Sequence, residues 1–226
     1  MSRSRTVKGL VVATVSACAL TGCGTHPGSA AVVGSETITD TRLDDVAGAL
    51  CTAQASSAQQ PQALASRAAL QGALSVLVES ALSRQYAKSR GVEADQEQVS
   101  AALAANKTTI DALPAAERPV FRETLIDYAE GQLSLIDIGR RVLRQRGTKA
   151  PTDQRALATA TRLRNQWAAR NADVSVDPRY GTFSAGALKA SNGSLSVPVS
   201  SEAVAGAAAT PGPDWIASLP ANQKCS

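Results

Sequence analysis

The sequence predicts a mainly α-helical protein with about five helices, a small N-terminal β-hairpin, one late strand and an irregular C-terminal tail. Three observations lead to this fold class. Alanine, the strongest helix former, is abundant, while aromatic residues make up only 3% of the chain. Apolar residues recur at helical spacing in five segments between residues 39 and 171. Short extended segments flank this region, around Gly34 and again from Val174.

The first 29 residues have the organisation of a lipoprotein signal and its anchor. Three basic residues among the first eight precede the uncharged apolar residues 9–20. This run is shorter than the roughly twenty residues that span a bilayer, and its length is typical of a cleavable signal peptide. The following Leu20-Thr21-Gly22-Cys23 resembles a lipobox, whose cysteine thiol carries the lipid. We therefore expect a signal peptide over 1–22, lipidation of Cys23, and an anchor and linker over 23–29. The alternative is a plain secretory signal with an incidental cysteine.

Charge and cysteine content narrow the possible functions of the mature chain. The three basic residues of the signal account for most of the formal net charge of +4. The remainder is nearly neutral and has no basic stripe, so we expect no nucleic-acid partner. Besides Cys23 it contains Cys51 and Cys225, and an oxidising compartment favours a disulfide between them over two free thiols. That bond would contribute on the order of 4 to 5 kcal/mol in the chain-entropy model and hold the tail on the first helix.

The N-terminal part of the mature chain predicts the hairpin and two helices. Residues 30–38 read as two extended pieces around the turn-forming pair Gly34-Ser35. A helix should begin at Thr39 or Asp40, because apolar residues then recur every three or four positions. A polar break containing Pro61 separates it from a second helix, which is expected to run from Ala63 to the terminating Gly91.

Three more helices and a strand are predicted downstream. The third helix covers about 95–106, the fourth runs from Pro114 to about Arg146, and the fifth follows the N-cap Thr152 as far as Asn171. Val174 and Val176 alternate with polar residues and predict the late strand. The rest of the chain is rich in Ser, Gly, Ala and Pro, and we expect it to be mostly irregular.

The two ends of this region resemble segments of a known family. Residues 31–40 (AVVGSETITD) are similar to the opening of the SurA N-terminal domain, with a strand, a tight turn, a second strand and a helix cap. Residues 176–183 (VDPRYGTF) are similar to the closing segment of its lipoprotein members. The chain therefore resembles extracytoplasmic foldases of the SurA and PrsA type, within the trigger factor/SurA peptide-binding superfamily. We expect residues 30–185 to form a SurA-N-like domain and residues 186–226 to dock on it.

The resemblance implies a cradle of helices that binds unfolded polypeptide. Leu74, Leu77, Leu125 and Ile136 are expected to line such a groove, because aliphatic side chains bind many extended segments weakly. For each of these residues alone, ordinary core packing is the simpler interpretation.

The sequence does not support an enzyme. Foldases of this group often carry a parvulin isomerase domain with active-site histidines, whereas the single histidine here, His26, lies in the linker. A hydrolase would need a positioned base, and Ser83 and Lys88 lack a recognisable serine–lysine spacing. The adjacent Asp44 and Asp45 diverge by about 100° on a helix, so they do not converge on one ion. We expect no catalytic residues, no metal site and no cofactor.

Two charged groups have mainly structural interpretations. A cluster of arginines is typical of a solvated helix end favoured by the helix dipole, with contact to anionic lipid or wall polymer as the alternative. Its members are Arg140, Arg141, Arg144 and Arg146. Asp177, Arg179 and Tyr180 are expected to fix the turn after the late strand through an ion pair and a phenol hydrogen bond.

These expectations combine into a chaperone-like protein, lipid-anchored at the extracytoplasmic face of the cell membrane. Its partners would be unfolded or exported polypeptides, bound without isomerase activity. The alternative is a cell-envelope scaffold or assembly factor that holds one specific folded partner. The sequence sets no oligomeric state.

Overall fold

The structure is a computed structural model that describes residues 28–55, 64–190, 197–208 and 211–225. Within these ranges the chain forms eight α-helices, seven strands and one 3-10 turn. In chain order the elements are β1 (Ser29–Val33), β2 (Glu36–Thr39), α1 (Asp40–Ala55), β3 (Leu64–Ala65), α2 (Ser66–Ser89), α3 (Gln96–Ala105), α4 (Lys107–Ala112), α5 (Arg118–Gln145), α6 (Asp153–Asn171), β4 (Val174–Val176), β5 (Gly181–Ser184), β6 (Ala187–Ala190), α7 (Ser201–Ala207), α8 (Pro213–Ser218) and β7 (Lys224–Cys225), with the 3-10 turn at Ala221–Gln223. The mainly α class agrees with the sequence, but the expected number of about five helices is wrong.

The additional helices are short. α4, α7 and α8 contain six, seven and six residues, too few for apolar periodicity to identify them. α4 follows α3 after the single residue Asn106 and contains two threonines, which are weak helix formers. Its Ile110 is 3% exposed, so tertiary burial holds this turn in place.

The start of α5 also differs from the prediction. α5 begins at Arg118 instead of Pro114, and Pro119 occupies its first turn.

The predicted hairpin and late strand form one antiparallel sheet with the order β2-β1-β4. β1 lies in the centre, where Val33 pairs with Glu36 on one side and with Val174 on the other. The turn between β1 and β2 places Gly34 at φ 58°, and its N–H donates to the carbonyl of Asp173 at 2.7 Å. The amide of Gln85 on α2 donates to the Val33 carbonyl at 2.8 Å and fastens the sheet to the helical body.

α2, α5 and α6 form the centre of the helical body. One apolar cluster joins the sheet and α1 to α2 through residues such as Val33, Leu43 and Leu74, which are fully buried. A second cluster joins α2, α5 and α6 through Tyr86, Leu135 and Ala160. The backbones of α5 and α6 approach closely at Gly139. A Cβ atom at this position would lie only 2.0 Å from the Ala156 carbonyl oxygen, so the contact requires glycine.

The C-terminal part is more ordered than the sequence predicted. β5 and β6 form a hairpin, and its turn contains residue 185, the expected domain boundary. Near the C-terminus, β7 pairs with β3, the short strand directly before α2 in the chain. A disulfide joins Cys51 of α1 to Cys225 of β7. The expectation of a mostly irregular tail is therefore wrong for its described residues. These strands of two to four residues are set by pairing with distant or neighbouring segments, which local sequence patterns do not reveal.

Candidate functional site

The four leucine and isoleucine residues expected to line a groove do not lie together on one surface. Leu74 is 0% and Leu77 6% exposed, and both belong to the core between the sheet, α1 and α2. Leu125 packs against a different cluster that contains Phe121 of α5. Ile136 is half-buried further along α5. The structure thus gives Leu74 and Leu77 the core role that was the simpler interpretation of each.

An open groove runs instead along the outer face of α6. Its volume is about 1170 Å³. The α6 residues that line it recur at positions i, i+3, i+4, i+7 and i+8, so they share one face of the helix. The lining residues are Gln154, Leu157, Ala158, Thr161, Arg162, Asn165, Gln166, Ala169 and Arg170, with Ala185 from the turn between β5 and β6. The apolar periodicity that predicts this helix lies on its opposite face, so the groove was not predicted from the sequence.

The β5–β6 turn forms one wall of this α6 groove. Ala185 and Gly186 both have positive φ, at 53° and 80°, which is the left-handed region that glycine adopts most readily. A Cβ atom on Gly186 would lie 1.9 Å from the carbonyl oxygen of Asn165, so only glycine permits this contact. In the sequence Gly186, between two short extended segments, is the residue that indicates this turn, because glycine accepts a positive φ.

A buried arginine fixes the position of Asn165 in the groove. Arg164 is 2% exposed, and its Nε and Nη2 donate to Oδ1 of Asn165 at 3.0 and 2.8 Å. Its Nη1 donates to the Ser83 hydroxyl on α2 at 3.0 Å and lies 3.8 Å from the Glu79 carboxylate. Burial lowers the pKa of the guanidinium, which Glu79 partly opposes. Because Asn165 accepts from Arg164, its side-chain NH₂ group is the part left to donate to a ligand.

The α6 groove is lined by small apolar groups, side-chain amides and arginines. Leu157, Ala158 and Ala169 supply small apolar contacts. Gln154 and Gln166 carry amides that can both donate to and accept from a peptide backbone. Among the described residues that line the groove none is acidic, and Arg162 and Arg170 add positive charge. The groove therefore combines apolar contacts with hydrogen-bonding and cationic groups along one helix face.

The charged group after the late strand has the predicted structural role. Arg179 pairs with Asp177 at 2.8 Å and with Asp40 of α1 at 3.1 Å. The Tyr180 hydroxyl donates to Asp40 at 3.3 Å, so the predicted ion pair and phenol hydrogen bond are confirmed. The Arg179 hydrogen bond lowers the pKa of Asp177, whereas burial raises the pKa of the Tyr180 phenol. The cluster fastens the segment after β4 to the start of α1.

The predicted signal peptide over residues 1–22 and the lipidation site Cys23 lie outside the described residues. In the part of the chain that the structure describes, no helix has the length and apolar character needed to cross a membrane. The same residues contain no group of three or more His, Cys, Asp or Glu side chains placed to hold a metal ion. Cys51 and Cys225, the predicted disulfide partners, are bonded with their Cα atoms 5.3 Å apart.

Comparison with known proteins gives one positive finding. The family model of the SurA-like N-terminal domain matches residues 1–111, about half of the chain. No curated protein and no solved structure matches the chain. The matched segment contains the sheet strands β1 and β2 together with α1 to α3 and most of α4. The α6 groove lies beyond it.

Proposed function

We propose that this chain, whose residues 1–111 belong to the SurA-like N-terminal domain family, is a lipid-anchored chaperone that binds unfolded or exported polypeptides in the α6 groove. The family is chaperone-like and belongs to the cell envelope. The observation that carries the binding site is the groove itself, open along one helix face and lined by small apolar groups, amides and arginines. The proposal includes anchoring through Cys23 at the extracytoplasmic face of the membrane and excludes isomerase activity.

The physical basis of the proposed binding is weak and general attraction. An open apolar surface contributes in proportion to the area that the client covers, with little regard to its sequence. Side-chain amides at Gln154 and Gln166 can satisfy backbone groups that an unfolded client exposes. Arg162 and Arg170 would favour clients with acidic residues near the bound segment. Such contacts suit transient capture better than tight recognition of one sequence.

The test is aggregation suppression by the full chain as cells produce it, with a chemically denatured enzyme as client. The wild type should reduce light scattering at near-stoichiometric amounts and show no turnover of a proline peptide in a parallel isomerase assay. Ala158→Arg fills the groove and should abolish most of the suppression. Ala101→Arg, the same change at an exposed position of α3 outside the groove, should keep it. Equal suppression by both variants would contradict the assigned site, and no suppression by the wild type would contradict the chaperone function.

The anchor has a separate test. Mass spectrometry of the membrane fraction should show an N-terminal fragment that begins with an acylated Cys23. A Cys23→Ser variant should lose that fragment and leave the membrane. Retention of the variant at the membrane with its first 22 residues removed would overturn anchoring through this thiol.

One observation favours the second candidate function, a scaffold for a single folded partner. Val197, Val199 and Val204 near the C-terminus are 83%, 93% and 54% exposed, and exposed apolar groups of this kind can mark a protein interface. In-cell crosslinking separates the two functions, because a chaperone gives many crosslinked clients and a scaffold gives one or two. A single dominant partner crosslinked next to these valines would favour the scaffold.

A further inference from the structure

A second cavity lies where the C-terminal ends of α2 and α5 meet, on a part of the helical body that the α6 groove does not use. Its volume is about 360 Å³. Three arginines line it, Arg90 from the end of α2 and Arg141 and Arg146 from the end of α5, together with Tyr86. None of the described residues lining it is acidic. This cavity, the arginine pocket, joins two members of the arginine cluster of α5 with a third cation that is distant in sequence.

Arg90 and Arg146 lie at two helix C-termini that have the same hydrogen-bond pattern. Arg90 is the C-cap of α2, and the N–H groups of Gly91 and Val92 donate to the carbonyls of Lys88 and Ala87. At the end of α5, Arg146 is the C-cap, and the next two N–H groups bond to Arg144 and Leu143 in the same pattern. Gly91 and Gly147 have φ of 61° and 87°, as this helix ending requires. Both guanidinium groups are therefore carried by fixed backbone turns.

The charge balance of the pocket is positive. Arg141 is paired with Asp137 at 2.6 Å, whereas Arg90 and Arg146 form no ion pair with any described residue. The two helix C-termini contribute a partial charge of about −0.5 each, which offsets roughly one of the two unpaired cations. An excess of about one positive charge remains at the pocket. A bound anion would neutralise this excess charge by pairing with Arg90 and Arg146.

Tyr86 gives the second indication of a ligand. Its side chain is 1% exposed and packs at a tilt against Trp167, with ring centroids 5.6 Å apart, while the Arg90 guanidinium lies 5.2 Å from the centre of its ring. Among the described residues its hydroxyl has no hydrogen-bond partner, and its oxygen is not one of the fully buried polar atoms that lack one, so it reaches the cavity that Tyr86 lines. The phenol can therefore donate to a ligand in a cavity that already carries three cations. Phosphate oxygens accept from both kinds of donor.

We propose that the arginine pocket binds the phosphate group of an anionic membrane lipid. Guanidinium groups bind phosphate oxygens in a bidentate geometry, and two of the three have no competing carboxylate. The remaining lining is mostly apolar and can contact the glycerol and the first methylene groups of the lipid. These residues are Val92, Ile138, Val142 and Leu163. In the cell, the proposed anchor at Cys23 would raise the local concentration of lipid phosphates, but the pocket itself does not depend on that anchor.

The test is isothermal titration of the full chain in nonionic detergent with three probes. Dihexanoylphosphatidylglycerol should bind at least about tenfold more tightly than inorganic phosphate and than dihexanoylphosphatidylcholine, whose choline cation the arginines repel. The double variant Arg90→Gln/Arg146→Gln should weaken phosphatidylglycerol binding by about tenfold or more. Tyr86→Phe, which removes only the hydroxyl, should weaken it by about threefold.

The control is Arg122→Gln/Arg155→Gln, which removes the same charge from exposed positions on α5 and α6 outside the pocket. It should bind phosphatidylglycerol within about twofold of the wild type, since exposed charges are screened by solvent. Equal losses in the control and pocket variants would overturn the site. Inorganic phosphate binding as tightly as the lipid would overturn the lipid as occupant, and equal binding of both lipids would overturn anion recognition. Wild-type aggregation suppression is a separate readout, so either proposal can fail alone.

Discussion

Gly139 illustrates how single residues without side chains set the packing of this fold. The α5 backbone at Gly139 faces the Ala156 carbonyl of α6, where a Cβ atom would lie 2.0 Å from the oxygen. Gly186 has the same function at the β5–β6 turn, against Asn165 of α6. By contrast, a Cβ atom on Gly72 in α2 would meet nothing within 4 Å. Gly72 and Gly139 are both helical, but only Gly139 lies at a close backbone contact.

Gly139→Ala should destabilise the protein, because α5 and α6 must separate to accommodate the added methyl group. Overpacking of this kind costs about 1 to 3 kcal/mol, which is larger than the gain of about 0.5 to 1 kcal/mol in helix propensity. Gly72→Ala, the matched control, should stabilise by about 0.5 to 1 kcal/mol, since it adds helix propensity without a clash. Urea unfolding monitored by circular dichroism measures both changes. A stabilised Gly139→Ala variant would show that the two helices do not approach as closely as described.

At the scale of elements, an ionic group directly follows the late strand and ties the chain after it to α1. β4 adds to β1, and Arg179 and Tyr180 then fasten the chain to Asp40 at the start of α1. Asp177, which is 9% exposed, accepts the backbone N–H of Arg179 at 2.8 Å and its side chain at 3.0 Å. These bonds favour the ionised carboxylate, which is why its pKa is lowered in the folded state.

This lowered pKa predicts a pH dependence. A carboxyl group whose pKa is lower when folded contributes stability above its unfolded pKa of about 3.8, and that contribution is lost as pH falls through the folded value. Asp177→Asn should therefore be less stable than the wild type at neutral pH, and the difference should shrink below pH 3.8. Thermal melts of both proteins from pH 2 to 7 provide the measurement. A difference that stays constant over this range would mean that the ionised carboxylate is not what matters.

The disulfide connects elements from the two ends of the described chain. Cys51 in α1 and Cys225 in β7 are separated by 174 residues, and the bond supports the two-residue pairing of β3 with β7. In the chain-entropy model a loop of this length contributes up to about 5 kcal/mol. Reducing agent should lower the melting temperature of the wild type by several degrees. The double variant Cys51→Ser/Cys225→Ser should melt at that lower temperature with or without reductant, and a melting temperature unaffected by reduction would argue against the bond.

The elements that could be predicted from sequence are those with local signals. Asp95 caps α3 by accepting from the Glu97 N–H at 2.9 Å, and Thr152, the predicted cap of α6, accepts from the Arg155 N–H. β3 and β7 could not be found in this way, because two residues form a strand only when a distant partner is present. The α6 groove was missed for another reason: its residues are the polar face of an amphipathic helix, which looks the same whether it meets solvent or a ligand.

At the scale of the whole molecule, the segment that matches the family is not an independent packing unit. Its strand β1 is covered on one edge by β4, which comes from residues 174–176. Tyr86 and Val92 of that segment share a cluster with Leu135, Ile138 and Ala160 of α5 and α6. Ala168 of α6 belongs to the core that also contains Leu74. The hydrophobic contribution to folding is therefore divided between the two halves of the chain.

A fragment of residues 28–111 should consequently fail to fold, whereas residues 28–190 with Cys51→Ser should fold. The shorter fragment keeps the hairpin, α1 and α2 but exposes the face of α2 that α5 and α6 cover, including Tyr86 and Ala87, which are 1% and 3% exposed in the whole chain. Without that burial the apolar gain does not offset the loss of conformational entropy. Near-ultraviolet circular dichroism and cooperative urea unfolding distinguish the two outcomes, since only a packed core gives both signals. A cooperative transition in the shorter fragment would mean that the matched segment has a self-sufficient core.

The longer fragment tests the proposed boundary. If it unfolds without cooperativity, the β3–β7 pair and the disulfide are needed for the fold itself and do more than attach the tail.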